Sequence, residues 1–189
     1  MEPEIEPQLI KDAQKDIKAF DRLYEMYFPK IYAYCLNRLA NKEATEDVVS
    51  QVFLLTVEQI HKFNFRKSNS LGPWLYKIAH NKIIDYYRYG SNKKLTSLES
   101  VQVGYEPDFD RSLQLSDLQK KIALVLSLIN PRYQEIISLK FFQELANEEI
   151  AEIIKEKPKN VAVILHRALK SFKQEFKKRY PETEINLDL

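Results

Sequence analysis

The sequence predicts an all-α protein made of two small helical domains joined by a flexible acidic linker. Three observations predict it. Apolar residues recur at i, i+3, i+4 and i+7 in every segment with a sustained hydrophobic pattern, which gathers them on one face of a helix. Only 3 of 189 residues are glycine, too few for a turn-rich β architecture, and no polar–apolar alternation is long enough to matter as a strand. Between two periodic regions, Leu95 to Asp110 carries four acids, no base and the interrupting Pro107, as a linker does. The expected organisation is therefore a helical domain over residues 1–90, a linker over 91–112, a second helical domain over 113–180 and a tail over 181–189. Domains of roughly 75 to 90 residues lie within the size range that folds unaided.

Taken in order, Phe20, Leu23, Tyr24, Tyr27 and Phe28 form the first stripe. That helix continues towards Leu39, with Pro29 expected to break or kink it because proline lacks the amide hydrogen and crowds the preceding turn. A second helix is expected to open at Thr45, whose hydroxyl can cap it while Glu46 and Asp47 suit the positive end of the helix dipole. Val48, Val49, Val52, Phe53, Leu55 and Val57 make its surface apolar. His61 to Ser70 is polar and aperiodic and reads as a loop. Gly72 and Pro73 introduce the next helix, with Trp74, Leu75, Ile78, Ala79 and Ile83 facing the core.

Beyond the linker, Leu118, Ile122, Val125, Leu126 and Ile129 make a stripe that stops at Asn130-Pro131, where Asn130 can cap the following helix. Ile136, Ile137, Phe141 and Phe142 are expected to fill that helix. A short segment from Asn147 to Ile154, a turn, and a basic amphipathic segment from Pro158 to about Lys178 complete the chain. In the last of these Val161, Leu165, Ala168, Leu169, Phe172 and Phe176 line one face. Short helix, turn and basic helix form the pattern of a helix-turn-helix.

Composition narrows the function. Hydrophobic residues at 44% and charged residues at 30% allow packed cores and argue against disorder. The single cysteine, Cys35, lies in an apolar stretch, so it is expected to be a buried small hydrophobe with no disulfide partner. No apolar run approaches the roughly 20 residues of a membrane helix, and the acidic start is unlike a signal peptide. The expectation is a cytoplasmic protein without membrane insertion. His61, His80 and His166 are scattered, there is no cysteine cluster, and no Gly-rich phosphate loop or nucleophile motif appears. No metal, cofactor or catalytic residue is expected, and the chain is not read as an enzyme.

The net charge is only +2, but its distribution is uneven. From His61 to Lys94 eight Lys/Arg face Asp85 alone, and from Lys155 to Arg179 nine face Glu156 and Glu175. Two basic segments in an otherwise acidic chain point to two contacts with a polyanion. In the first, Phe63, Phe65, Tyr86, Tyr87 and Tyr89 are interleaved with Lys62, Arg66, Lys67, Lys82 and Arg88. Cations can hold phosphates there while aromatic rings stack unpaired bases, each stack contributing about 1–3 kcal/mol. The competing reading is that Phe63 and Phe65 fill the core while the cations form a solvated face. Trp74, heading an apolar stripe, is assigned to the core.

Phe20 to Tyr24, Glu46 to Phe53, and Trp74 to Asn81 with Asp85 and Arg88 resemble region 2 of small sigma-70 family factors of the extracytoplasmic-function type. Leu128 to Asn130, Glu149 to Ile154, and Val161 to Ala168 resemble region 4. The resemblance implies a subunit that binds core RNA polymerase, recognises minus-35 and minus-10 promoter elements and promotes DNA melting, with an anti-sigma factor as a further partner. On the family's pattern Asp47, Ser50, Gln51 and Leu54 would contact polymerase, although the family usually has Gln and Glu where Ser50 and Gln51 stand. Lys62, Phe63, Arg66, Lys67, Asn81, Lys82, Asp85 and Arg88 would meet the downstream element, as duplex and then as melted single strand. In the second domain Lys155, Lys157, Lys159, Arg167 and Lys170 would hold backbone phosphates, while Lys159, Asn160, Val163 and His166 remain for base readout. Ala162 and Ile164 stand where many relatives carry cations, and Lys155 replaces the usual turn glycine, which implies a weaker or more apolar upstream readout. The acidic linker is either a tether or a nucleic-acid mimic in polymerase's RNA path. A stand-alone helix-turn-helix regulator and a degenerate sigma-like interaction module remain the alternatives.

Overall fold

The computed structural model describes residues 5–39, 41–64, 70–90 and 116–183. The expected linker lies outside the described residues, as does the tail from residue 184 on. The chain divides into two compact units, Met1–Asn92 and Lys93–Leu189, and the described residues of each are helical with connecting turns.

The first unit begins with α1 (Ile5–Lys15), which the sequence reading did not identify. It buries Ile10 and Ala13, and a short 3-10 turn over Ile17–Ala19 leads from it into α2 (Phe20–Leu39). Pro29 lies inside α2, which runs past it as one helix. Both Pro29 and Glu25, the residue whose carbonyl loses its amide partner, are exposed, so water can satisfy that carbonyl and the helix survives the proline. Helix α3 (Lys42–Gln59) opens earlier than expected. Asn41 is its cap, accepting from the Ala44 amide at 2.8 Å, and Thr45 is buried with its hydroxyl donating to the Asn41 carbonyl at 2.7 Å. The side-chain amide of Asn41, four residues upstream, supplies the capping acceptor, which leaves Thr45 to pack.

The core of this unit is aromatic and β-branched. Phe53 of α3 sits among three rings of α2, with centroids 4.7 Å from Tyr24, 6.1 Å from Phe28 and 6.4 Å from Phe20. Helix α4 (Gly72–Gly90) buries Leu75, Tyr76, Ala79 and Ile83, and Tyr76 meets Tyr34 edge-on at 5.3 Å. Trp74 and Ile78, also expected in the core, are half-buried. Cys35 is fully buried, and burial pushes its thiol up to about 12.

In the second unit, α5 (Asp117–Leu128) starts at a reciprocal cap: the Gln119 amide donates to Ser116 Oγ, while the Ser116 amide donates to Gln119 Oε1. Asn130 caps α6 (Pro131–Ile137) by accepting from the Arg132 amide at 2.9 Å. Val125, Ile129, Ile137, Ala168, Leu169, Phe172 and Phe176 form the core. Helix α6 passes into a π-helical turn over Ser138–Phe142. The extra residue in that turn rotates the register, so Leu139 takes the buried position and Phe141 and Phe142, expected inside, are 52% and 58% exposed. Leu118, expected in the α5 stripe, is 44% exposed. Helices α7 (Asn147–Ile154) and α8 (Pro158–Arg179) follow and coincide with the segments expected to form the helix-turn-helix.

Candidate nucleic-acid interface

The turn of that motif is closed by a non-glycine residue. Lys155 ends α7 in the left-handed region at φ 58° and ψ 44°, and the Glu156 amide closes the helix end by donating to the Ala151 carbonyl at 2.9 Å. This is the position where the sequence reading finds a lysine in place of the usual glycine, and the turn forms with the lysine in it. Behind the turn, Glu156 forms an ion pair with Arg132 of α6 and accepts from Asn160 Nδ2 at 3.0 Å. The Asn160 hydrogen bond, aided by Arg132, holds the Glu156 carboxyl below its usual range.

Helix α8 turns its apolar stripe inward, with Val161, Ala168, Leu169, Phe172 and Phe176 buried. Lys155, Lys157, Lys159, Asn160, Val163, His166, Arg167 and Lys170 are all exposed. Lys159, Val163, His166 and Lys170 follow one another at helical spacing on the outer face, with Val163 51% exposed. The upstream set is therefore brought together on one surface, except that Asn160 arrives with its amide already engaged by Glu156.

On the first unit, Asp47, Ser50, Gln51 and Leu54 are exposed and spaced i, i+3, i+4 and i+7 along α3, which puts them on one face, away from Val48, Val49, Val52 and Phe53. Leu54 is 59% exposed, an apolar side chain among the polar Asp47, Ser50 and Gln51.

The downstream set is divided. Asn81, Asp85 and Arg88 share a face of α4, with Lys82 beside Asp85; Arg88 is exposed and the other three are half-buried. Lys62 is exposed at the end of the 3-10 turn Ile60–Lys62. Phe63 is half-buried, its ring 5.7 Å from that of Trp74, so it both packs and shows an edge. Arg66 and Lys67 lie outside the described residues. Of the tyrosines near the end of α4, Tyr87 donates its hydroxyl to the Arg38 carbonyl at 2.6 Å and is anchored to α2, while Tyr86 is 39% exposed.

The sequence reading missed a set of polar contacts beside this surface. Gln14 Nε2 donates to the Ile60 carbonyl at 3.0 Å and the Phe63 carbonyl at 2.9 Å. Glu6 Oε1 accepts from the Leu71 amide at 2.7 Å, from Ser70 Oγ at 3.2 Å and from the Tyr27 hydroxyl, while Tyr27 Oη accepts from the Gly72 amide at 3.1 Å. Burial, reinforced by Glu6, pushes the Tyr27 phenol well above its ordinary range. The partners lie 21 to 65 residues apart in sequence, so no local pattern announces them. Among the described residues no helix is long and apolar enough to cross a membrane, and no group of three or more His, Cys, Asp or Glu is placed to hold a metal ion.

Helical units with these surfaces are matched by two family models: Sigma-70 region 2 over residues 23–92 and Sigma-70, region 4 over residues 119–172. RNA polymerase sigma factor YlaC of Bacillus subtilis is 29% identical over 170 residues, covering 88% of this chain and 97% of that protein. ECF RNA polymerase sigma factor SigM of the same organism is 28% identical over 157 residues, covering 81% and 92%. The fold is that of the sigma factor RpoE of Bartonella quintana, solved in complex with the anti-sigma factor NepR, with a TM-score of 0.64 at 17% identity over 85% of this chain and 98% of that one. The chain belongs to the sigma-70 family, and its relatives place it with the extracytoplasmic-function members.

Proposed function

We infer that the chain binds core RNA polymerase, recognises minus-35 and minus-10 promoter elements and promotes DNA melting for transcription initiation. The observation that carries this is the coincidence of the two basic segments of the sequence with the two units matched by regions 2 and 4. The α3 face of Asp47, Ser50, Gln51 and Leu54 is the polymerase contact. Lys62, Phe63, Asn81, Lys82, Asp85 and Arg88, with Arg66 and Lys67, serve the downstream element, where cations hold phosphate and Phe63 and Tyr86 offer rings to unpaired bases. Lys155, Lys157, Lys159, Arg167 and Lys170 hold upstream phosphates, and Val163 and His166 read base edges, Val163 through thymine methyl groups.

The protein acts in the cytoplasm, where its polymerase and promoters are, and contributes no catalytic chemistry of its own. An anti-sigma factor is its regulatory partner; the complex formed by the RpoE relative supports this. The deciding experiment is run-off transcription with purified core polymerase, with and without the protein, on the region upstream of its own gene. Protein-dependent transcripts with one defined start are expected. Tight binding to duplex promoter DNA without polymerase, together with failure to co-elute with the core enzyme, would instead establish a stand-alone regulator.

A further inference from the structure

Two polar side chains of α1 reach the backbone beside Lys62 and Phe63 and the start of α4, whose Trp74 ring lies 5.7 Å from that of Phe63. Gln14 donates to the carbonyls of Ile60 and Phe63, and Glu6 accepts from the Ser70 hydroxyl and the Leu71 amide. Gln14 and Glu6 are eight residues apart on one helix, which at 1.5 Å per residue is a span of about 12 Å. A helix that served only to cover the core would need Ile10 and Ala13, both buried, and nothing from Gln14 or Glu6. Instead these two satisfy backbone groups of another element, at positions where a half-buried carbonyl or amide needs a partner. Tyr27 ties the start of α4 further, accepting from the Gly72 amide and lying 3.0 Å from Ser70 Oγ.

We propose that Gln14 and Glu6 are positioning residues for strand opening: Gln14 fixes the backbone that carries Lys62 and Phe63, and Glu6 fixes the start of α4, whose Trp74 backs the Phe63 ring, so that Lys62 and Phe63 are presented to the unpaired strand in a set geometry. Pre-organised contacts bind better than ones that must be ordered at the moment of binding. The proposal rests on the assignment of this surface to promoter melting.

The test uses holoenzyme reconstituted from the full chain and core polymerase, with 2-aminopurine in the minus-10 element reporting opening and fluorescence anisotropy reporting core affinity. Gln14→Met and Glu6→Met each lower the extent of opening about tenfold, the scale of a hydrogen bond lost from a part-buried backbone group, while core affinity stays at the wild-type value. Glu6→Gln keeps an oxygen that can accept from the same donors and restores opening. Wild-type opening in both Met variants overturns the proposal, as does failure of Glu6→Gln to rescue or a parallel loss of core affinity. Lys62→Ala and Phe63→Ala separate the two levels. If they impair opening while the Met variants do not, only the positioning role fails; if they too open normally, the melting assignment fails and takes the positioning role with it.

Discussion

Lys155 holds a backbone conformation that costs a β-carbon-bearing residue about 1 kcal/mol or more. Lys155→Gly is therefore expected to stabilise the second unit by up to about 1 kcal/mol after the greater freedom of glycine in the unfolded chain is counted, read as a higher urea midpoint. The same change removes a proposed phosphate contact, so promoter binding by the holoenzyme should weaken while stability improves. Protonation sets a second expectation. The Cys35 thiol is held up at about 12 and the phenols of Tyr27 and Tyr76 above their ordinary range, in each case chiefly by burial. The native first unit thus keeps protons that the unfolded chain releases. This stability is fully present below the unfolded thiol value of about 8.5 and is lost as pH climbs through the folded values. Urea midpoints of the first unit should fall from pH 8 to pH 11, and Cys35→Ala, although less stable throughout, should show a shallower fall.

Among the elements, those announced by local chemistry were legible and those set by distant contacts were not. Asn130 before proline placed the start of α6, and the apolar stripe from Val161 to Phe176 placed both ends of α8 to within a residue or two. Helix α1 escaped because Ile10 and Ala13 alone make too thin a stripe, and the start of α3 was misplaced because an Asn cap preceded the more conspicuous Thr45. The π turn was invisible, since a register change within an apolar run leaves composition unaltered, and it is what turns Phe141 and Phe142 outward. The same division holds in α8: exposure of Lys159, Val163 and His166 followed from periodicity, but the bond from Asn160 to Glu156 did not. Glu156→Ala should free Asn160 and remove a negative charge from a basic surface. Promoter affinity of the holoenzyme should rise, by severalfold at low ionic strength, with the gain shrinking in high salt as screening increases; unchanged affinity at low salt would show that Asn160 and Glu156 lie outside the contact.

For the molecule as a whole, a net charge of +2 conceals the distribution that matters. The all-helical class and the two basic segments were legible because periodicity and charge runs are properties of contiguous sequence. The joining of Glu6 to Leu71 was not, because folding alone brings residues 65 positions apart together. If each phosphate held by a cation releases counterions, log affinity should fall linearly with log salt by about 0.9 per contact. Replacing Lys155, Lys157 and Lys159 by alanine should flatten the slope of holoenzyme–promoter binding by up to about 2.7 on that scale, measured by anisotropy across a KCl series. A parallel downward shift with no change in slope would mean that these lysines do not meet phosphate.

The chain has one tryptophan, and its indole sits half-buried against Phe63, beside the segment assigned to strand opening. The native protein thus contains its own optical reporter. Excitation at the red edge of the absorbance band addresses Trp74 alone among 11 tyrosines and 10 phenylalanines, and its emission colour and quenching by iodide or acrylamide follow the solvation of that one spot. Titrating the free chain with single-stranded oligonucleotides could then follow events at the Phe63 edge without a label or an engineered probe.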